Sequence, residues 1–175
     1  LQRIVIATAK SFDLYACLIF LVADARRRDD AHQQLVGTVG ANAQGELLVQ
    51  EEDVIPLNAQ PSIIALAART REPVVVGDVR SLSEVSFEGG RVSASSIYMP
   101  SPILPETRAE LAIPIMRGDE LMGVFDLQSR TVNHFGEEDL RVLTTLAEQI
   151  AIAVRNAQLF AETQKARRNA EAASE

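Results

Sequence analysis

Tryptophan is missing, aromatic residues make up only 5% of the chain, and cysteine occurs once, as Cys17. A single thiol builds neither an intrachain disulfide nor a Cys-based zinc site, so a reducing, cytoplasmic setting is the default expectation. Basic residues are outnumbered, 17 against 24 acidic ones for a net charge of -7, which argues against nucleic acid or anionic lipid as a partner. Long apolar runs are lacking too: the longest, residues 14–23, is about half of what a bilayer-spanning helix needs. Histidine is scarce, with His32 in a polar stretch and His134 ahead of the last periodic segment. Neither stands beside a cysteine or paired carboxylate, so both are expected as surface residues and no acid-base pair or metal cluster stands out. The serines have no GxSxG context, and Gly89-Gly90 has no following lysine or helix start that would make a phosphate loop.

What remains, 175 residues with 47% hydrophobic and 23% charged, is the composition of one globular domain able to bury roughly 70% of its unfolded surface. Residues 1–12 read as a helix entered partway, and residues 14–23 as a central strand. The polar stretch 24–34 reads as a solvated hairpin loop, and residues 35–41 as a strand returning antiparallel to the first. Residues 42–53 suit a loop or one short helix, and residues 54–57 an edge strand. Pro61 is expected at the first position of a helix that ends at Arg71, Glu72 and Pro73, followed by a short buried strand at residues 74–76. Residues 77–108 show little periodicity, with serines at positions 81 to 96 and prolines at 100, 102 and 105. A stretch of that length without regular structure is expected to be a binding loop. Residues 110–116 and 121–128 form the clearest hairpin, turning through Arg117, Gly118, Asp119 and Glu120.

The segment 136–173 opens with Glu137, Glu138 and Asp139, acids that complement a helix N-terminus, and neither Gly nor Pro interrupts it from Leu140 onward. At 1.5 Å per residue it would span about 57 Å, more than one small domain can cover. Ile150, Ala157, Gln164 and Glu171 share one seven-residue position, and Leu146, Ala153, Phe160, Arg167 and Ser174 another. The expectation is a helix that packs on the sheet through its first turns and pairs with a second copy of itself as a parallel homodimer. A single amphipathic helix with a frayed charged tail is the simpler alternative. Starting at Leu1 and ending inside a helical pattern, the chain is expected to be a piece of a longer polypeptide.

The motifs Glu110-Leu111-Ala112-Ile113-Pro114-Ile115, Leu121-Met122-Gly123-Val124-Phe125-Asp126-Leu127-Gln128-Ser129 and Phe135-Gly136-Glu137-Glu138-Asp139-Leu140, in this order after a strand, polar hairpin and strand, resemble a GAF domain over essentially the whole chain. The resemblance implies an α+β fold, similar to profilin and PAS domains: a six-stranded antiparallel sheet with helices on both faces, its first and last helices sharing one face. A small-molecule pocket would lie on the other face, roofed by residues 77–108. Residues 1–158 would be the domain, with its first helix truncated. Residues 159–175 would be a helical coiled-coil linker to an output domain, since 166–175 resemble the entry to the dimerisation helix of a sensor histidine kinase.

The ligand classes of such domains can be compared residue by residue. Covalent bilin attachment uses a cysteine in the irregular segment, whereas Cys17 falls in the first strand. Cyclic-nucleotide-binding members carry Asn-Lys, Phe and Asp-Glu; here Asn133, Phe135 and Asp139 match, but His134 replaces the lysine and Leu140 the glutamate. Methionine-sulfoxide-reducing members need several cysteines. The cofactor is thus left unknown, with bilin and cyclic nucleotide disfavoured. A pocket would draw on Asp78, Ser95, Ser96, Tyr98 and Met99 from the roof, and on Arg108, Glu110 and Gln128 from the adjoining strands. Arg108 could pair with an anionic ligand or with Glu110 internally. The resulting expectation is a non-catalytic sensory and dimerisation domain of a bacterial cytoplasmic signalling protein such as a histidine kinase. A ligand-free dimerisation module, or an enzyme whose site the sequence hides, are the alternatives.

Overall fold

The computed structural model describes residues 1–23, 33–48, 53–81, 83–87 and 90–172, so the loop expected over 24–34, with His32, falls almost wholly outside the described residues, as do Gly89 and Ser174. Six strands, β1 (Ala16–Val22), β2 (Gln34–Ala41), β3 (Val54–Pro56), β4 (Val74–Val76), β7 (Ala109–Arg117) and β8 (Glu120–Ser129), form one sheet. Their order is β3-β2-β1-β8-β7-β4, and every neighbouring pair is antiparallel. The architecture is α+β, as read from the sequence. The ladder between β7 and β8 runs to the pair Arg117 and Glu120, leaving Gly118 and Asp119 as a two-residue turn in which Gly118 takes φ +57°.

Both faces of the central strands are covered, which explains why β1, β7 and β8 are nearly continuous apolar runs. One face carries α1 (Gln2–Ser11) and α4 (Glu137–Ala172). Val5 and Ala9 of the first and Leu143, Ala147, Ile150 and Val154 of the second pack on Cys17, Ile19, Leu111, Ile113, Phe125 and Leu127. The His134 Nε2–H donates to the Phe12 carbonyl oxygen at 2.9 Å, tying the end of α1 to the approach to α4, so this histidine is half-buried rather than a free surface residue. The Gly136 N–H donates to Asp139 Oδ2 at 2.8 Å, which fixes where α4 begins.

The other face is covered by α2 (Ile63–Thr70) and by the middle of the chain. Pro61 lies outside α2. The helix is capped instead by Ser62, whose Oγ accepts from the Ala65 N–H at 3.0 Å, because a hydroxyl satisfies a free helix N–H that proline cannot. The stretch 77–108 is also more regular than its composition indicates: β5 (Glu84–Phe87) and β6 (Gly90–Ser93) pair as a small hairpin, and α3 (Ala94–Ile97) follows directly. Strands of four residues are too short to display a period, so the alternation of Val85 and Phe87 passes for loop.

Candidate functional site

A cavity of about 300 Å³ opens between α2, the sheet and the segment after α3. Leu18, Phe20, Glu110 and Gln128 rise into it from the sheet, Ile63 and Ile64 flank it from α2, and residues 98–104 close over it. The volume is at the lower end of the range for small-ligand pockets, and the composition, apolar walls with a few polar groups, is the usual one.

Of the eight residues picked from the sequence, Tyr98, Met99, Glu110 and Gln128 border this cavity. Asp78 and Arg108 do not. They form a two-point ion pair, Arg108 Nη2 to Asp78 Oδ2 at 2.9 Å and Nε to Oδ1 at 3.2 Å. The partnership between Arg108 and Glu110 offered as one option is therefore not formed. The cause lies in the register: β4 pairs Val76 with Glu110, and two residues further along the same antiparallel alignment Asp78 comes opposite Arg108. Arg108 holds the Asp78 carboxyl below its ordinary range, and Asp78 lines a separate, polar hollow with Gly77, Ser81 and Asn133. Ser95 and Ser96 turn back on Ser93, the first with its Oγ 3.1 Å from the Ser93 Oγ, the second donating to the Ser93 carbonyl at 2.7 Å. Neither borders the cavity.

Beneath the cavity floor lies a polar chain that sequence reading missed in part. The Thr107 hydroxyl donates to Gln128 Oε1 at 2.7 Å, and Gln128 Nε2 donates to Asp126 Oδ2 at 2.7 Å. Asp126 is fully buried and its Oδ1 has no hydrogen-bond partner. Glu110, 4% exposed, lies opposite Gln128 on the neighbouring strand and diagonal to Asp126 on the same face of the sheet. Burial, then the Asp126 charge, pushes the Glu110 carboxyl well above its usual value, and burial pushes Asp126 up to about 6. The two carboxyls titrate as one coupled pair, each opposing the ionisation of the other in a dry setting. The alternation of β8 was the available signal: Asp126 stands two positions before Gln128 and so on the same face of the sheet.

Cys17 faces the opposite side of the sheet, and burial raises its thiol, which leaves it an unreactive core residue. Among the described residues no group of His, Cys, Asp and Glu is arranged to hold a metal ion, and no helix is long and apolar enough to cross a membrane.

A family model described as "GAF domain" matches residues 1–155. Among solved structures, a GAF domain of a phosphoenolpyruvate-protein phosphotransferase from Coxiella burnetii superposes with a TM-score of 0.68 at 21% identity, covering 93% of this chain and 84% of that one. The GAF-B domain of DevS from Mycobacterium smegmatis gives 0.59 at 22% identity, covering 92% and 95%. A type II free methionine-R-sulfoxide reductase from Thermoplasma acidophilum gives 0.63 at 16% identity, covering 89% and 92%. No curated protein matches the chain. At these identities the structural likenesses establish the fold, which a methionine-R-sulfoxide reductase shares.

Proposed function

From the premise that this chain belongs to the GAF domain family, we propose that it is a non-catalytic sensory domain: a small molecule enters the cavity over Glu110 and Gln128, and the signal leaves through α4. One observation carries the reading. The cavity lies on one face of the sheet, and on the other face lies a helix of 36 residues, about 54 Å, whose last buried side chain is Val154. Residues 155–172 extend past the packed domain by about 27 Å, a length that serves a partner rather than the domain itself.

Pairing of two α4 helices would cover Val142, Ile152, Leu159 and Phe160, all exposed. The seven-residue row through Ile150 is not available for it, since Ile150 is fully buried against its own sheet; the row of Leu146, Ala153 and Phe160 is partly covered at Leu146 and Ala153 and open at Phe160. In this reading the domain is a homodimer in the cytoplasm, and residues 159–175 lead to an output domain such as a histidine kinase. A lone buried thiol supports the non-catalytic assignment over thiol-based reduction. A ligand would bias two arrangements of the helix pair, for which a coupling of a few kcal/mol is enough.

The test is a thermal-shift screen with a panel of metabolites, followed by hydrogen exchange on residues 155–172 with any hit. A metabolite that raises Tm and alters exchange in α4, with no turnover, is the expected result. A hit abolished by Ile64→Trp, which fills the cavity, places the binding there. Turnover of the hit, or a hit that leaves α4 exchange unchanged, would overturn the sensory reading.

A further inference from the structure

Resting on the reading of the cavity as a ligand site, we propose that its ligand is a small organic cation, a protonated amine with a compact apolar body, whose ammonium group sits on Glu110.

The charge of the lining points that way. Its ionisable members are two acids, Asp53 and Glu110, and the tyrosine Tyr98; among the described residues the cavity wall contains no lysine, arginine or histidine. The described arginines around it are engaged elsewhere; Arg80, whose charge reaches Tyr98, donates to the Pro105 carbonyl oxygen at 3.1 Å. Arg108 is held by Asp78, and Arg69 donates to the carbonyl oxygens of Leu57 and Ala59. An anionic ligand would therefore meet a buried acid pair with no cation among the described lining residues, which is a costly arrangement.

The hydrogen-bond inventory agrees. Among the described residues the polar groups that line the cavity with Glu110 are Asp53, Ser62, Tyr98, Ser101 and Gln128, beside the apolar Ile63 and Ile64 of α2, while Asp126 stands diagonal to Glu110 on β8. Gln128 donates one amide N–H to Asp126 and accepts from Thr107 through its carbonyl oxygen, and no hydrogen bond joins it to Glu110. Apart from its hydrogen bond with Asp126, the Glu110 carboxyl has no donor from the described residues, although it is 96% buried and borders open space. Native structures rarely leave a buried polar group so poorly served unless something else completes it. An ammonium group brings three N–H donors and a positive charge to an acidic lining. Leu18, Phe20, Ile63 and Ile64 then supply an apolar surface for the rest of the molecule, which must be small to fit about 300 Å³.

The test uses three probes of similar shape and different charge: isopentylamine, isopentanol and isovalerate. Each is titrated near neutral pH into the full chain, following the amide resonances of Tyr98 and Gln128 by NMR. The amine should bind about tenfold or more tighter than the alcohol, and isovalerate weakest. Glu110→Gln should erase the preference while alcohol binding persists, and Asp126→Asn should reduce it if the first variant fails to fold. Equal or tighter binding of the alcohol or the carboxylate in the unmodified chain overturns the cation assignment and leaves the ligand site standing. If none of the three moves the cavity resonances while the metabolite screen finds a neutral or anionic ligand, the assignment falls alone; if both find nothing, the ligand reading falls with it.

Discussion

If residues up to Val154 fold the domain and those beyond serve a partner, truncating an apolar side chain on either side of that boundary must have opposite consequences. Ile150 is fully buried between α4 and the sheet, beside Leu111, Ile113 and Phe125. Cutting it to alanine removes three carbons from a packed site, and such changes cost about 2 to 5 kcal/mol. Against a total stability of about 5 to 15 kcal/mol for an ordinary domain, Ile150→Ala alone should lower the urea midpoint severely. Phe160 is larger, yet 68% of it is exposed, so within one protomer Phe160→Ala should fall inside about 0.5 kcal/mol.

Urea titrations followed by circular dichroism at a low and a high protein concentration separate the two effects. Ile150→Ala should lose stability at both concentrations. The unmodified chain should gain stability on concentration through mass action of a dimer, and Phe160→Ala should lose that gain while matching it when dilute. A loss of 2 kcal/mol or more for Phe160→Ala in dilute protein, independent of concentration, would mean that the second half of α4 folds back on its own domain. That result would remove the relay.

Three further outcomes follow from single contacts. Because Asp126 is pushed up to about 6, the stability it contributes is present below its unfolded value near 4 and is lost as pH rises through about 6; urea midpoints should fall across that window by an amount on the order of 2 kcal/mol, less in Asp126→Asn, and a midpoint that rises there refutes the buried acid pair. Gly123→Ala would drive a Cβ into the Phe20 carbonyl oxygen and Leu21 in the centre of the sheet, where backbone cannot yield; a loss of about 1 to 3 kcal/mol is expected in thermal melts, and an unchanged Tm would contradict the close approach. Ser62→Ala removes the cap of α2 and should cost about 1 kcal/mol by the same measurement, with Ser62→Gly milder.

The parts of the molecule that could be read from the sequence are those in which a period repeats several times. The buried row Leu143, Ala147, Ile150, Ala151 and Val154 repeats at helical spacing, and β7 and β8 flank a turn whose Gly118 needs a left-handed backbone. The roof hairpin escaped because Val85 and Val92 lie opposite each other in strands of four residues, which is a contact and not a pattern. Of the candidate site, Tyr98, Met99, Glu110 and Gln128 were legible as polar or flexible residues beside an irregular segment. Asp78 and Arg108, thirty positions apart, could be joined only by knowing how β4 pairs with β7. Asp126 hid for a different reason: between Phe125 and Leu127 it sits where a strand buried on both faces expects an apolar residue. Its presence there makes sense only beside Glu110.

The hairpin of β7 and β8 also states how binding and relay would be linked. In each strand successive residues face opposite sides, so Glu110, Asp126 and Gln128 turn toward the cavity while Leu111, Phe125 and Leu127 turn toward α4. No intermediate element separates the two layers; a shift of the strand that accommodates a ligand at Glu110 moves Leu111 by the same backbone. Tight packing turns such a shift into a choice between discrete arrangements rather than a gradual deformation. Substituting Leu111 or Phe125 by a smaller apolar residue should therefore weaken the effect of a bound ligand on exchange in residues 155–172 more than it weakens binding itself, whereas a coupling carried around the sheet edge through α2 would leave both unchanged.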